Sequence, residues 1–576
     1  MHRKYRTRLL VVDIGSTNLK ATLFEARLDE RTSGDATGGS GNMLSVANDE
    51  DEQDYSVFSF DRKSSLSPVK TADSPAWTMK SVGTFRCPTV MTSIVKDNGE
   101  IWTEIDPNVL MRDVVQLMRH CLRESNVTWE EVDTFGITSQ RNTFLLYDML
   151  EKTPMQQFIS WKDTRCKEIV RRWNSNWFLR AIRFGGRLIS SIFAFTFAVL
   201  SAAVFFRTTH ILPRLSWLRK HRKFDMRTSR LCHIDAYVLA QLTGSEEFQI
   251  DVSAASCSGF YDPTLLGWSW PFLFFFRILR TFLPTVLPSA HYFGDICDKY
   301  FGSSKPVTAM SADQSAAAFG HFLVELGQAK LTLGTGAFLS VNTGGRLVFS
   351  SAENIYTLLG CQMSSKFDPP YLVEAQVEEY GQFVSWVINN KFPLGGNCLV
   401  PEVLQDSMEH CPYFLSPTHG FVTGGGEIFV PVNFSDVHTY FAVLEALSFI
   451  LYRRVTRLAT MVHIAYPLRA DGGVSASTDL LVLLASMLNQ SIIKPKGSLE
   501  MASFGCAVLA GIGCGFWDPE EAITFSDSVD YEKILPLNRP CRDFLLRRIE
   551  HRMALCEKFA VGACFYPPDV PSIRAE

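Results

Sequence analysis

Residues 9–20 read LLVVDIGSTNLK, a short apolar run that ends in an acid and then in a turn of small, hydroxylated residues. Such a run reads as a buried strand, and the turn behind it offers backbone N–H groups and hydroxyls to an anion. Asp13 can hold a divalent metal, Gly15, Ser16, Thr17 and Asn18 can donate to phosphate oxygens, and Lys20 adds a point charge. A second stretch, TAMSADQSAAAFG at 308–320, sets a lone acid, Asp313, among small apolar residues. A carboxylate there can take a proton from a hydroxyl. A phosphate hairpin with a distant general base suggests phosphoryl transfer to an alcohol. Each signal alone is common: the hairpin pattern occurs in unrelated turns, and an Asp before a helix is as often an N-cap as a base.

The chain has 576 residues, enough for at least two domains with large cores. An apolar fraction of 46% and a net charge of −4 fit a soluble globular enzyme and give no basic excess for nucleic acid. Fourteen cysteines are scattered with no C-x-x-C pair, which indicates neither zinc nor a disulfide framework. Reduced thiols in a cytoplasmic protein are the simpler expectation. The basic start, MHRKYRTR, is followed only by the short apolar run before Asp13, too little for a signal peptide.

Residues 29–74 are rich in Ser, Gly, Asp and Glu and hold the acidic run Asp49, Glu50, Asp51 and Glu52. They read as a disordered insertion. Leu188 to Phe206 carries no charge and is long enough to count as a membrane-span candidate. A span there would place Asp13 and Asp313 on opposite sides of a bilayer, so buried core or an exposed partner-binding patch is the expectation. Membrane contact through this segment stays open. The small-residue stretch MASFGCAVLAGIGCG at 501–515 suits a helix packed tightly at a nucleotide cleft, or equally a close-packed core helix.

Five further stretches follow in order: TFGITSQRNTFLLYD at 134–148, FISWKDTRC at 158–166, LCHIDAYVLAQLTG at 231–244, GQAKLTLGTGAFLSVNTG at 327–344 and, from ADGGVSAS onward to CGFW, 470–517. With the first two they resemble the FGGY carbohydrate kinases, and within them the glycerol kinases and their divergent animal branch. The resemblance implies an α/β protein in which two actin-like ATPase (ribonuclease H-like) domains, 1–320 and 321–576, flank a nucleotide cleft. It implies ATP with Mg²⁺, a small polyol such as glycerol as acceptor, and Asp313 as base; a homo-oligomer stays open. Asp13 would hold the metal. Gly15 to Asn18 with Lys20, and a second turn of Gly334, Thr335 and Gly336, would face the phosphates. Gly381, Ser385, Gly473 and Ser477 would border the adenosine. Arg141, Asn142, Trp161, Asp313, Gln314 and Phe338 would form the polyol site. Without the family, Arg141 reads as a surface residue, Trp161 and Phe338 as core, and the glycines as ordinary caps and turns. The chain also departs from the family. Asn142 stands where glycerol kinases have Glu, Thr209 where they have Tyr, and Ser477 where an Asn meets adenine, and 421–434 has lost most of a loop. The phosphate side is intact and the alcohol side altered, so a kinase for another polyol or sugar, or an inactive nucleotide-binding module, remains the alternative.

Overall fold

The computed structural model describes residues 5–29, 58–59, 76–192, 204–334, 336–350, 354–377, 380, 383–384, 387, 413–416, 420–422, 428–429, 436–497 and 499–559. Two mixed sheets organise them. The first runs Ala290–Asp295, Pro306–Ala312, Thr134–Ser139, Arg6–Ile14, Asn18–Asp29, Ala76–Pro88. The second runs Ile355–Leu359, Tyr371–Val377, Ala337–Gly344, Gln328–Leu333, Ala465–Asp471, Ile492–Pro495, Tyr531–Ile534.

Apart from the extra edge strand Ile355–Leu359, the sheets share one plan. Each starts with a hairpin (Arg6–Ile14 with Asn18–Asp29; Gln328–Leu333 with Ala337–Gly344) and adds a third antiparallel strand outside it. On the other side of the first strand lie two parallel strands and then an antiparallel edge. No internal repeat is visible in the sequence, so the duplication survives in topology alone. The two-domain actin-like architecture is the one expected.

Strand Arg6–Ile14 explains its own composition. Side chains alternate across a strand, and Leu10, Val12 and Ile14 enter one core while Leu9 and Val11 enter another with Phe24, Phe504 and Val508. Buried on both faces, the stretch Leu9 to Val12 is apolar at every position. The second sheet packs Leu331, Leu333 and Leu339 against helices Asp436–Ala459 and Thr478–Leu488.

The sheets divide near residue 320, but the chain does not respect that division throughout. Helix Met501–Cys514 returns to the first sheet and crosses helix Asp313–Gly320. It is a close-packed core helix. A Cβ on Gly505 would lie 2.1 Å from the Ala316 carbonyl oxygen, and one on Gly320 would lie 2.3 Å from that of Met501. The small residues of 501–515 therefore set how closely the Asp313 helix sits.

Leu188 to Phe206 is divided. Helix Trp177–Ile192 takes its first residues, 193–203 lie outside the described residues, and Phe206 is buried. Among the described residues no helix is long and apolar enough to cross a membrane. Within 29–74, Phe58–Ser59 pairs with Arg346–Leu347; apart from Asp29, which ends the second strand, the rest, including the acidic run, lies outside the described residues.

The crossing yields a test. Gly505→Ala forces a methyl into backbone atoms and should destabilise the protein by about 1–3 kcal/mol, as overpacking does. Urea unfolding with an unchanged midpoint would contradict the close approach.

Candidate active site

Three strands of the first sheet run parallel and in register. Asp13 lies beside Thr138, and Ser139 beside Ala312. Their carboxyl ends therefore deliver Asp13, Gln140–Arg141 and Asp313 to one edge, the place where open α/β sheets build their sites. In the second sheet Thr332 lies beside Asp471, so the Gly334 turn and Gly472–Gly473 leave together. A cavity of about 580 Å³ joins the two edges. Its lining includes Asp13, Gly15 to Asn18, Lys20, Arg141, Asn142, Trp161, Asp313, Gln314, Gly334, Gly336, Phe338 and Gly473.

Beside the Gly15–Asn18 turn Asp13 is buried, with one carboxylate oxygen 3.3 Å from Lys20 Nζ. Among the described residues its Oδ1 has no hydrogen-bond partner. Burial pushes the Asp13 carboxyl up, Lys20 pulls it down, and Glu500 adds to the rise. Lys20 also meets Glu500 at 2.8 Å, so helix Met501–Cys514 fixes the lysine through the residue that precedes it. Gly15 is needed at its turn: a Cβ there would lie 2.6 Å from the Asn18 carbonyl oxygen. In the opposite turn the Gly334 N–H donates to the Gly336 carbonyl at 2.9 Å.

Gly473 lines the cavity, but Gly472 is the glycine that cannot be replaced. Its φ is 89°, and a Cβ would lie 2.4 Å from the Leu333 carbonyl oxygen. Ser477 caps helix Thr478–Leu488 by accepting from the Leu480 N–H at 3.5 Å, and it is not among the cavity-lining residues. Thr335, Gly381 and Ser385 lie outside the described residues.

Elsewhere in the cavity lining Arg141 makes a bidentate pair with Glu374, at 3.0 and 2.8 Å, and its guanidinium lies 5.6 Å from the Phe338 ring. Tyr356 donates its hydroxyl to the same carboxylate at 2.6 Å, and Arg207 stacks 4.1 Å over the Tyr356 ring. Burial would raise the Glu374 carboxyl, but Arg141 holds it below its ordinary range. Asn142 adopts φ 59°, a left-handed conformation that Asn tolerates. Its Nδ2 donates to the Cys257 carbonyl at 2.9 Å, and among the described residues its Oδ1 is buried without a partner. Both side-chain polar atoms of Gln140 are likewise buried without partners among the described residues.

Arg214 holds these loops together. Fully buried, it donates to the carbonyls of Asn142, Ile159, Ser160, Thr209 and His210. Thr209, where the family has Tyr, thus serves through its backbone. Asp313 opens helix Asp313–Gly320, faces the cavity and accepts from the Gln314 N–H at 2.7 Å. Burial raises its pKa to about 6, against the pull of Arg141. Gln314 Oε1 accepts from the buried Lys330 at 2.9 Å. Glu374, Tyr356, Arg207, Arg214 and Lys330 escaped the sequence reading because isolated charged or aromatic residues carry no motif, whether in a strand, a helix or, as Arg207, a loop.

Removing one member of a buried pair leaves the other charge unpaired. Glu374→Ala should therefore cost about 3–5 kcal/mol of stability. A loss under about 1 kcal/mol in denaturant unfolding would place the pair among the weak, solvent-screened ones.

Comparison with known proteins agrees with this arrangement. The N-terminal domain of the FGGY family of carbohydrate kinases matches residues 89–320. Glycerol kinase 5 of Xenopus laevis is 30% identical over 429 residues, 71% of this chain and 88% of that protein. Glycerol kinase 5 of Bos taurus is 28% identical over 438 residues, 73% of this chain and 82% of that protein. The solved structure of Plasmodium falciparum glycerol kinase with ADP superposes with a TM-score of 0.70 at 20% identity, covering 96% of this chain and 97% of that one. A ligand-bound xylulose kinase from Lactobacillus acidophilus gives 0.67 at 14% identity, covering 96% and 98%. The sequence match over most of the Xenopus protein, together with the shared fold, establishes that the chain belongs to the FGGY family of carbohydrate kinases.

Proposed function

We propose that this member of the family, an ATP-dependent kinase of a sugar or polyol, phosphorylates glycerol, with Asp313 as general base. One observation carries the reading. A carboxyl raised to about 6 shares a cavity with two phosphate-type turns from two sheets. A base with that pKa is ionised at neutral pH yet basic enough to take a hydroxyl proton.

In this reading the turns at Gly15–Asn18 and Gly334–Gly336 hold the triphosphate, and Lys20 neutralises part of its charge. Arg141 and Gln140 hydrogen-bond the acceptor hydroxyls, while Trp161 and Phe338 cover its carbon chain. Asp313 removes the proton from the attacking oxygen. The unpartnered Oδ1 of Asp13 suits Mg²⁺, which takes one or two carboxylates together with phosphate oxygens. When bound, the ion would neutralise charge on the transferring group. Adenosine contacts from Gly381, Ser385, Gly473 and Ser477 belong to the same proposal, as does the division into domains 1–320 and 321–576.

A specific observation favours a second reading. Both terminal nitrogens of Arg141 are engaged by Glu374, and the Asn142 amide donates to a carbonyl. An acceptor other than glycerol, or a nucleotide-binding module without transfer, would fit a site already so committed.

ADP release in the presence of ATP, Mg²⁺ and a panel of polyols and sugars tests the assignment. Turnover should rise with pH through about 6 as Asp313 ionises and then level off. Asp313→Asn should lower it by about 10²–10⁴. The sign for stability is the opposite. A carboxyl raised in the folded state is stabilising while protonated, and that contribution is lost as pH rises through about 6. Asp313→Asn should therefore be at least as stable as wild type above pH about 6, with the difference closing in acid. A variant that keeps full turnover would remove Asp313 from the chemistry.

A further inference from the structure

Helix Trp177–Ile192 and the short helix Trp270–Phe276 meet at the Phe178 and Phe275 rings, 5.7 Å apart. Their inner faces are spent on the body of the protein. Phe276 packs on Trp173 and Phe206, and Phe272 lines the cavity. Their outer faces carry large aromatics into solvent: Trp177 is 77% exposed, Phe184 70%, Trp270 72% and Phe274 72%. Within Trp177–Ile192, Trp177 and Phe184 are seven residues apart, two helical turns, and so form one stripe.

The charge that these two helices and the cap of the second carry has one sign. Neither helix contains an acid. Arg180 is exposed on the first, Arg277 caps the end of the second, and Arg219 and Lys220 are exposed beside it, with Arg219 donating to the Phe276 carbonyl. The whole chain is net acidic at −4, so the basic rim is a local feature. Side chains more than two-thirds exposed project from the surface and do not line a socket. Projecting Trp and Phe beneath a cationic rim match the acyl boundary and the anionic headgroups of a bilayer surface.

We propose that the outer face of helices Trp177–Ile192 and Trp270–Phe276 docks the protein on anionic phospholipid membranes, lying on the surface without spanning it. The apolar content that makes the neighbouring sequence look like a span is then used at an interface. Because Phe272 belongs to the same short helix, docking would set the cavity wall next to the membrane.

Co-sedimentation of the full chain with vesicles tests this. Binding to vesicles containing phosphatidylserine should exceed binding to phosphatidylcholine alone and should fall with added salt. The Trp270→Ser, Phe274→Ser double variant should lower partitioning at least about tenfold on both vesicles. Arg180→Glu with Lys220→Glu should lower it about as much on the anionic vesicles only. All four side chains are exposed, so melting temperatures should stay at the wild-type value. Absence of wild-type binding to either vesicle, or variants that bind as wild type does, would overturn the proposal. So would aromatic variants that abolish concentration-dependent self-association of a protein that ignores lipid, since the patch would then join two copies.

Discussion

Arg141 follows a strand of the first sheet and Glu374 lies on a strand of the second, and the two meet in a buried bidentate pair 233 residues apart in sequence. Charges removed from water need a close partner, so neither residue can move without the other. The pair therefore ties the two sheets together across the cavity. Tyr356 reinforces the carboxylate, and Phe338 flanks the guanidinium. Near the Gly15–Asn18 turn Lys20 bridges Asp13 and Glu500, and Lys330 reaches from the second sheet to Gln314. Charged contacts hold the cavity, while apolar cores hold its walls.

The backbone sets where the chemistry can sit. Three parallel strands end in register and present Asp13, Arg141 and Asp313 together. The crossing of two helices through Gly320 and Gly505 fixes the height of Asp313. Arg214 gathers five carbonyls from the loops that carry Asn142, Trp161 and Thr209. A fully buried arginine without an acid partner is costly unless its donors are met, and here the loops supply the acceptors. The same residue that orders the loops also restricts them, which bears on why the Asn142 backbone is held in a left-handed conformation.

Much of this was legible in the sequence where a motif forces a local shape. The all-apolar run before Asp13 requires a strand buried on both faces, and the small-residue turn requires a tight hairpin; both are found. What stayed hidden depends on contacts between distant residues. Nothing near Glu374 or Tyr356 signals that they hold Arg141. The repeated sheet plan leaves no trace in side chains because topology tolerates their replacement. The backbone requirement at Gly472 was not legible, because sequence does not reveal that this residue meets the Leu333 carbonyl. The departure at Asn142 was visible, but not its bond to Cys257, which shows that the amide donates where a carboxylate could not.

The central claim is that two turns from two sheets grip one nucleotide. Hydrogen exchange measured with and without ATP and Mg²⁺ tests it directly. The amides of peptides carrying Gly15 and of peptides carrying Gly334 should slow together, at the same ATP concentration. Protection of one turn without the other, or of neither, would contradict the account.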